Sequence, residues 1–233
     1  MKIGIVVPLR LNSERERSFE YVHNWLKTEF VDIPIYLSDS DGKRFNVSEA
    51  RNRGCLQAIN DGVDILMVID ADTFITKRSE LKKAFELATF GVASMTKGYV
   101  RLSDKETEDI IAGGEIKHKD FEQLVLQNTP GGLWVFPVEV FQQLKGWDER
   151  FLGWGYEDNA LLRAYKKIYG KKIHRINTIV LSFSHSTRDY TIDSYLKNQE
   201  RYELYKVISD KEEMLKMVSG NMAHKARKRL TLD

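Results

Sequence analysis

The sequence is poor in cysteine, in proline and in long apolar runs. Its 233 residues include one cysteine, Cys55, and four prolines. A single cysteine excludes an intramolecular disulfide framework and is typical of a reducing compartment, and its place in a helical pattern predicts a core position. No apolar run reaches the roughly 18 residues of a transmembrane helix, and the first one, Ile3–Val7, is too short for a secretory signal. We therefore expect a cytoplasmic, globular protein.

The sequence also lacks a strong excess of charge. Its formal net charge is +2, with 42% hydrophobic and 30% charged residues, so neither disorder nor a fibrous repeat is expected. A chain of this length can bury a sizeable core in one large domain, with or without a small appendage. The local exception is His224–Arg229, which holds four cationic side chains. It is either a solvated helix end or a contact for an anionic surface.

What the sequence does contain is an alternation of strand and helix patterns. Apolar runs predict strands at Lys2–Pro8, Ile33–Leu37 and Val63–Ile69. Helical spacing predicts helices at Phe19–Phe30 and Val47–Ile59, the second with Ser48 as its cap. Three such units predict an α/β fold with a mostly parallel sheet flanked by helices. Ligands of such sheets bind beyond the carboxyl ends of the strands, where three polar clusters fall: residues 8–10, 39–41 and 70–72.

The most informative of these clusters is Asp70-Ala71-Asp72. Two carboxylates at the end of a buried strand suit a hard divalent cation such as Mg²⁺ or Mn²⁺ that carries a diphosphate. The alternative is a solvated turn or helix cap, in which the same residues serve only the backbone.

The second half of the sequence is less regular. Residues 99–129 show no sustained period and predict loops with one short helix. Regular structure returns with a strand at Leu133–Phe136 and a helix at Val138–Leu144, whose first turn holds Pro137. In residues 146–159, glycines and tryptophans form a loop, and Glu157 and Asp158 open a helix over Asn159–Tyr169. These acids either serve chemistry or complement the helix dipole.

Six motifs in this order resemble the GT-A glycosyltransferases: VVPLR, SDSDG, ARNRG, IDADT, GGLWVF and GWDERFLGWGYEDN. The resemblance covers roughly residues 2–190. It is closest to the group of β-1,4-galactosyltransferases and chondroitin-type synthases, with some similarity to polypeptide N-acetylgalactosaminyltransferases. The segment Ala50–Gly54 is also similar to family 2 glycosyltransferases. The resemblance implies a GT-A fold and transfer of a sugar from a nucleotide sugar, of the uridine diphosphate class, to a hydroxyl acceptor.

The resemblance also implies roles for individual residues. Pro8, Leu9 and Arg10 match the loop that receives the nucleotide, Asp39 matches the acid that contacts the base or ribose, and Arg51 matches a residue near the uridine and diphosphate. Asp70 would face the ribose or the water shell of the metal. Asp72 would bind Mn²⁺ or Mg²⁺ directly, together with His185 after a late strand. As alternatives, Arg10 is a surface charge, Arg51 an ion-pair partner on a helix, and His185 a structural histidine.

On the acceptor side, Asp158 matches the general base of inverting galactosyltransferases, and Glu157 matches a residue that orients acceptor or donor. Asn159 departs from the pattern, because the galactosyltransferases carry an acid there, so inversion is favoured but not fixed. Sugar contacts are expected at Gly153, Trp154, Gly155 and Trp134, because a pyranose face stacks on an indole. Trp147 and Trp25 are assigned mainly to packing.

The resulting prediction is a domain over residues 1–190, with a nucleotide-sugar half (1–98) and an acceptor half (99–190), and a helical extension with a basic tail over 191–233. The helix Ile192–Ile208 packs on the sheet or pairs with a second subunit. The acceptor stays open among polysaccharide, lipid-linked sugar, protein and modified nucleic acid. The expected origin is bacterial or viral. Two other functions compete: a sugar nucleotidyltransferase, although residues 8–15 lack a glycine-rich phosphate cradle, and a catalytically silent carbohydrate-binding module.

Overall fold

The computed structural model describes residues 1–13, 15–75, 78–116, 126–127, 130–185 and 191–222. Its strands are β1 (Ile3–Pro8), β2 (Ile35–Ser38), β3 (Ile65–Ile69), β4 (Thr73–Ile75), β5 (Ala93–Arg101), β6 (Leu126–Gln127), β7 (Leu133–Pro137) and β8 (His174–Ser182). Its helices are α1 (Glu16–Glu29), α2 (Val47–Asn60), α3 (Arg78–Ala88), α4 (Asp104–Ile111), α5 (Val138–Leu144), α6 (Glu157–Tyr169), α7 (Ile192–Val207) and α8 (Lys211–Val218). None of the helices in these ranges is long and apolar enough to cross a membrane.

The strands form one mixed sheet in the order β2-β1-β3-β7-β5-β8-β4, with β6 beside β5. The predicted parallel unit is present, because β1 pairs in parallel with both β2 and β3. Beyond it, β7 runs antiparallel to β3 and β5, β4 runs antiparallel to β8, and only β5 and β8 pair in parallel. The prediction of a mostly parallel sheet is therefore wrong for the second half. A strand buried on both faces reads as an apolar run in either direction, so the pattern does not encode orientation.

The two faces of the sheet bury different cores, and β7 shows how. Leu133 and Val135 belong to the core on the side of α1 and α3, whereas Trp134 and Phe136 belong to the core on the side of α2, α5 and α6. This alternation follows from the two-residue period of a strand. Cys55 is buried in the second core, as predicted, and burial raises the pKa of its thiol.

Helices α2 and α5 begin at their predicted residues but have other caps, and α6 begins two residues earlier than predicted. Asn46, not Ser48, caps α2, because its side-chain oxygen accepts the backbone N–H of Glu49 at 3.1 Å. Pro137 is the N-cap of α5 rather than part of its first turn. Helix α6 begins at Glu157, so both acids lie inside its first turn. The cap of α2 depends on which backbone N–H a side chain reaches, and the first residue of α6 on backbone angles; the hydrophobic period shows neither.

Residues 99–129 contain more regular structure than the weak pattern indicates. Strand β5 runs to Arg101, and α4 begins at a capping box in which Ser103 and Glu106 bind each other's backbone N–H. The sequence signature of such a box, a serine followed three residues later by a glutamate, is present there. Residues 117–125 and 128–129 of this region, and the basic segment His224–Arg229, lie outside the described residues.

The described part of the predicted C-terminal extension is tied to the loop before α6. The buried carboxylate of Asp148 accepts hydrogen bonds from Arg150, from Arg201 in α7 and from the hydroxyl of Tyr205 at 2.9 Å. Asn221, beyond α8, donates to the backbone oxygens of Leu144 and Gly146. Helices α7 and α8 therefore pack against α6. The expectation was that Ile192–Ile208 packs on the sheet or pairs with a second subunit. The observed partner is a helix, and pairing with a second subunit stays a prediction.

Candidate functional site

One buried arginine stands at the centre of the site. Arg51 projects from α2 with 2% of its surface exposed. Its Nη2 donates to Oδ1 of Asp70, directly after β3, at 2.7 Å, and its Nη1 donates to Oδ1 of Asp158 in α6 at 3.1 Å. Nη1 also lies 3.6 Å from Oε1 of Glu157. One guanidinium thus holds together the end of a strand and the start of a helix, with three carboxylates around one cation.

Asp158 is fixed by three N–H groups on one oxygen. Besides Arg51, the indoles of Trp134 and Trp147 donate from Nε1 to Oδ1 of Asp158, at 3.0 and 2.9 Å. The other oxygen, Oδ2, faces Gly131, where an added Cβ would lie only 2.8 Å away. Glycine therefore allows the backbone to pass closer to this oxygen than a residue with a side chain could. The carboxylate therefore has a set orientation, with one oxygen bound by N–H groups and the other beside the backbone of Gly131.

The expectation that Trp134 contacts a sugar is not supported by its position. Its indole is 1% exposed and lies edge-on to Trp147 at a centroid distance of 6.5 Å. Both rings are core residues whose polar edge binds Asp158, because a buried indole N–H needs an acceptor. Trp147, assigned to packing from the sequence, therefore also belongs to the site.

Two of the carboxylates around Arg51, those of Glu157 and Asp70, have raised pKa values. Burial, followed by the charge of Asp158, raises the pKa of Glu157 from 4.5 to about 7, although Arg51 opposes this. Burial also raises the pKa of Asp70, again against Arg51. Burial lowers the pKa of the Arg51 guanidinium, but the surrounding carboxylates outweigh it and raise the pKa, so Arg51 stays charged.

A second pair of residues lies on the other side of Asp70. Nε2 of His185 lies 3.1 Å from Oδ2 of Asp72, and both side chains are only 13% exposed. The backbone holds them together, because the N–H of Phe183 donates to the carbonyl of Asp72 at 2.9 Å. Burial raises the pKa of the Asp72 carboxyl, but the hydrogen bond and charge of His185 outweigh it, so the net shift is downward. Arg15 lies 3.3 Å from Nδ1 of His185.

The Asp72–His185 pair fits a divalent cation as two of its ligands. Adjacent ligands of an octahedral cation with bonds of about 2.1 Å lie about 3 Å apart, which is close to the distance between these two atoms. Within the described ranges, no group of three or more His, Cys, Asp or Glu side chains is arranged to hold a metal. Water or substrate oxygens would have to complete such a site. Oδ1 of Asp70 accepts a hydrogen bond from Arg51. The predicted part of Asp70 in metal binding stays a prediction.

The predicted nucleotide residues lie at the ends of β1 and β2. Nε of Arg10 donates to both oxygens of Asp39 at 3.0 Å, and its Nη atoms donate to backbone oxygens of residues 40, 42 and 43. Pro8 ends β1, and the N–H of Leu9 donates to the carbonyl of Ser38 at 2.8 Å. The structure therefore brings these predicted residues together, with Arg10 and Asp39 bound to each other. Their contact with a nucleotide stays a prediction.

The loop before α6 carries the remaining predicted contacts. Gly153 and Gly155 have φ values of 74° and 108°, and Tyr156, the N-cap of α6, has a φ of 72°. Two left-handed glycines and a strained tyrosine turn the chain sharply, and only glycine adopts such angles without strain. Trp154 is 54% exposed, in contrast to Trp134 and Trp147.

Sequence reasoning did not assign Trp147 or Gly131 to the site. The available signal for Gly131 was the Gly131-Gly132 pair directly before a buried strand, since paired glycines there indicate a close approach of other groups. For Trp147 the sequence offered no local signal. The need of its indole N–H for an acceptor becomes apparent only once the structure shows that the ring is buried.

Comparison with known proteins identifies the fold. The structure is similar to the catalytic domain of Drosophila β1,4-galactosyltransferase 7 in complex with xylobiose, with a TM-score of 0.53 and 18% identity over 91% of this chain and 83% of that chain. It is also similar to Staphylococcus aureus TarS 1–349 in complex with UDP-GlcNAc, with a TM-score of 0.56 and 14% identity over 94% and 72% of the chains. The protein has the GT-A glycosyltransferase fold. No curated protein matches the sequence.

Residues 120–188 match the family described as the N-terminal domain of galactosyltransferase. This segment contains Trp134, the loop through Trp154, both acids of α6 and His185. These matches confirm the predicted resemblance to GT-A glycosyltransferases. They also confirm the predicted class of enzyme, a glycosyltransferase.

Proposed function

We propose that the protein transfers a sugar from a uridine diphosphate sugar to a hydroxyl group of an acceptor, with inversion at the anomeric carbon. The observation that carries this proposal is the environment of Asp158. Its Oδ1 is held by three N–H donors, and its Oδ2, which takes no part in these three bonds, lies beside Gly131. A carboxylate whose orientation is set through one oxygen can use its second oxygen to take a proton from a hydroxyl group.

The donor would lie along the carboxyl ends of β1, β2 and β3. Pro8, Leu9, Arg10 and Asp39 form the nucleotide end of this edge, and Asp70 and Asp72 the diphosphate end. Asp72 and His185 would hold Mn²⁺ or Mg²⁺, since their facing atoms have the spacing of neighbouring ligands. The cation would neutralise charge on the departing diphosphate. The UDP-GlcNAc bound to the TarS neighbour supports a uridine nucleotide.

The acceptor would approach from the side of α6. Asp158 would accept the proton of its hydroxyl group through Oδ2, and Glu157, adjacent in the first turn, would orient acceptor or donor. Arg51 would act as a positioning residue, because it contacts Asp158 and Asp70 but has both Nη groups engaged by carboxylates. The xylobiose bound to the Drosophila neighbour supports a carbohydrate acceptor.

Glu157 is the second candidate for the base. A general base works best with a pKa near the working pH, and the pKa of Glu157 is raised to about 7. Asp158 is preferred for its fixed orientation, since three N–H groups hold its Oδ1, whereas Oε1 of Glu157 lies 3.6 Å from Nη1 of Arg51. Asp158 therefore remains the first choice.

The test is an incubation of the protein with UDP-sugars, Mn²⁺ and a panel of monosaccharide and disaccharide acceptors. Release of UDP with a glycosylated product supports the proposal, and NMR of the new glycosidic bond gives the anomeric configuration. Release of pyrophosphate from UTP and a sugar 1-phosphate would instead support a nucleotidyltransferase. Binding of sugars without either product would support a silent carbohydrate-binding module.

A further inference from the structure

The loop before α6 holds an exposed tryptophan in a fixed position. Asn198 of α7, itself buried, donates from Nδ2 to the carbonyls of Leu152 and Trp154 at 3.0 and 3.3 Å, and its Oδ1 accepts the N–H of Leu152 at 3.2 Å. The backbone on both sides of Gly153 is therefore bound to one side chain of α7. Trp154 nevertheless keeps 54% of its surface in solvent. The loop therefore holds a large aromatic side chain in solvent at a defined position.

Tyr195 of α7 extends this aromatic surface. Its ring lies nearly parallel to that of Trp154, with an interplanar angle of 16° and a centroid distance of 6.0 Å. Its hydroxyl group shares a hydrogen bond with the hydroxyl of Tyr156 at 2.9 Å. Gly155 permits this arrangement, because a Cβ at that position would lie 3.3 Å from Cδ2 of Tyr195. The result is two adjacent rings with phenolic oxygens beside them.

We propose that Trp154 and Tyr195 form a second sugar-binding position, so that the acceptor is a carbohydrate of at least two rings. This inference rests on the proposed function, and it adds Tyr195 of α7 as a residue that determines specificity. The first ring of the acceptor would place its hydroxyl at Asp158, and the next ring would lie against the aromatic pair. The apolar face of a pyranose stacks on aromatic rings, while its hydroxyl groups bind polar atoms at the edge.

The placement along the chain supports this order of rings. Trp154 lies in the turn that leads directly into α6, and Asp158 is in the first turn of that helix. The residues predicted to bind the nucleotide lie at the ends of β1 and β2, on one side of β3 in the sheet. Strand β7, which carries Trp134, lies on the other side of β3. Leu152 and Leu196, also exposed on the loop and on α7, make an apolar protein partner the competing occupant.

The first experiment compares acceptors in initial-rate assays. For the parent, a disaccharide such as xylobiose, cellobiose or chitobiose should have a KM at least about fivefold below that of its own monosaccharide. Tyr195→Ala should raise the disaccharide KM by about tenfold, equivalent to 1.4 kcal/mol, with the monosaccharide KM and donor KM unchanged. Tyr195→Phe should keep most of the preference. Leu204→Ala, an exposed change on the same helix, is the matched control.

The second experiment needs no sugar transfer and separates the two proposals. Tryptophan fluorescence is titrated with the same sugars, in the parent and in Tyr195→Ala. If disaccharides bind and Tyr195→Ala weakens them, the sugar position stands even when no UDP-sugar is turned over. If UDP-sugar is turned over but no disaccharide in the panel is preferred in either assay, the proposed function stands and this inference is wrong. A binding surface for an apolar partner would give the second result.

Discussion

Arg51 donates from Nη1 to Oδ1 of Asp158 at 3.1 Å, across 107 positions of the chain. The other end of the same guanidinium binds Asp70 at 2.7 Å. The carboxylate predicted to serve the donor and the carboxylate predicted to activate the acceptor are therefore set at a distance defined by one planar group. Lysine cannot reproduce this bridge, because its ammonium is a single point charge on a flexible stem.

Replacement of Arg51 by lysine should therefore impair turnover more than folding. We expect Arg51→Lys to lower kcat by about 10²-fold, the loss that a misplacement near 1 Å can cause. Initial rates with saturating donor and acceptor, together with thermal melting, measure the two effects. Arg53→Lys is the matched control, since Arg53 is on the same helix and pairs with Asp41 and Glu49 at the surface. A folded Arg51→Lys variant with parental kcat would contradict the positioning role.

Asp158→Asn tests the base directly. The amide keeps an oxygen that can accept the N–H groups of Trp134, Trp147 and Arg51, but it cannot accept a proton. We expect a rate lower by about 10²- to 10⁴-fold, whereas loss of a charge at a helix terminus costs only about 0.3 to 1 kcal/mol of stability. Asp193→Asn, an acid in the first turn of α7 that pairs with Lys197, is the control for the second effect. If Asp158→Asn binds donor and transfers sugar at nearly the parental rate, Glu157 takes over as the candidate.

Glu157→Gln should change how stability depends on pH. The folded state holds the proton of Glu157 up to a pKa of about 7, whereas the ordinary pKa is 4.5. Between these values the unfolded state loses its proton first, so the stability of the parent falls as pH rises from about 4.5 to about 7. Glutamine removes this contribution. Urea unfolding should therefore show that the variant gains stability relative to the parent between pH 5 and pH 8.

The exposed Glu200→Gln change on α7 should show no such gain. An equal pH dependence in the parent and in Glu157→Gln would mean that Glu157 is ionised in the folded state throughout this range.

The metal assignment predicts a shared loss in two variants. Asp72→Ala and His185→Ala should each weaken Mn²⁺-dependent binding of UDP, because each removes one of the two facing ligands. Calorimetric titration of UDP at several Mn²⁺ concentrations measures this effect without any turnover. His23→Ala, in α1 and stacked on Phe19, is the control for the loss of a histidine. If UDP affinity depends on the Mn²⁺ concentration in the same way in the parent and in His185→Ala, His185 is a structural residue and not a metal ligand.

The sequence was informative where structure depends on local patterns. The strands Ile3–Pro8 and Ile65–Ile69 and the helices Val138–Leu144 and Glu157–Tyr169 fall within two residues of their predicted bounds. The acidic clusters were found because they directly follow apolar runs or precede a helical pattern. The predicted proximity of Asp72 and His185 came from the family resemblance, and the structure places their atoms 3.1 Å apart.

The sequence was uninformative where structure depends on distant contacts. Nothing near Arg51 indicates that its partners are Asp70 and Asp158, and the indole of Trp147 gives no local sign that its N–H binds a carboxylate. Strand direction in the second half was also missed, since buried strands of either orientation are continuous apolar runs. Buried polar side chains find partners by three-dimensional proximity, so their pairing follows from the fold and not from spacing.

The separation between Arg51 and Asp158 also orders events during synthesis. A ribosome that adds about 5 to 20 residues per second needs several seconds to pass from one to the other. During that interval the nascent chain has Arg51 and Asp70 but neither acid of α6, and the indoles that fix Asp158 are also incomplete. Asp158 can reach its fixed orientation only after the last of these groups has docked. Incomplete chains therefore lack the carboxylate that is proposed as the base.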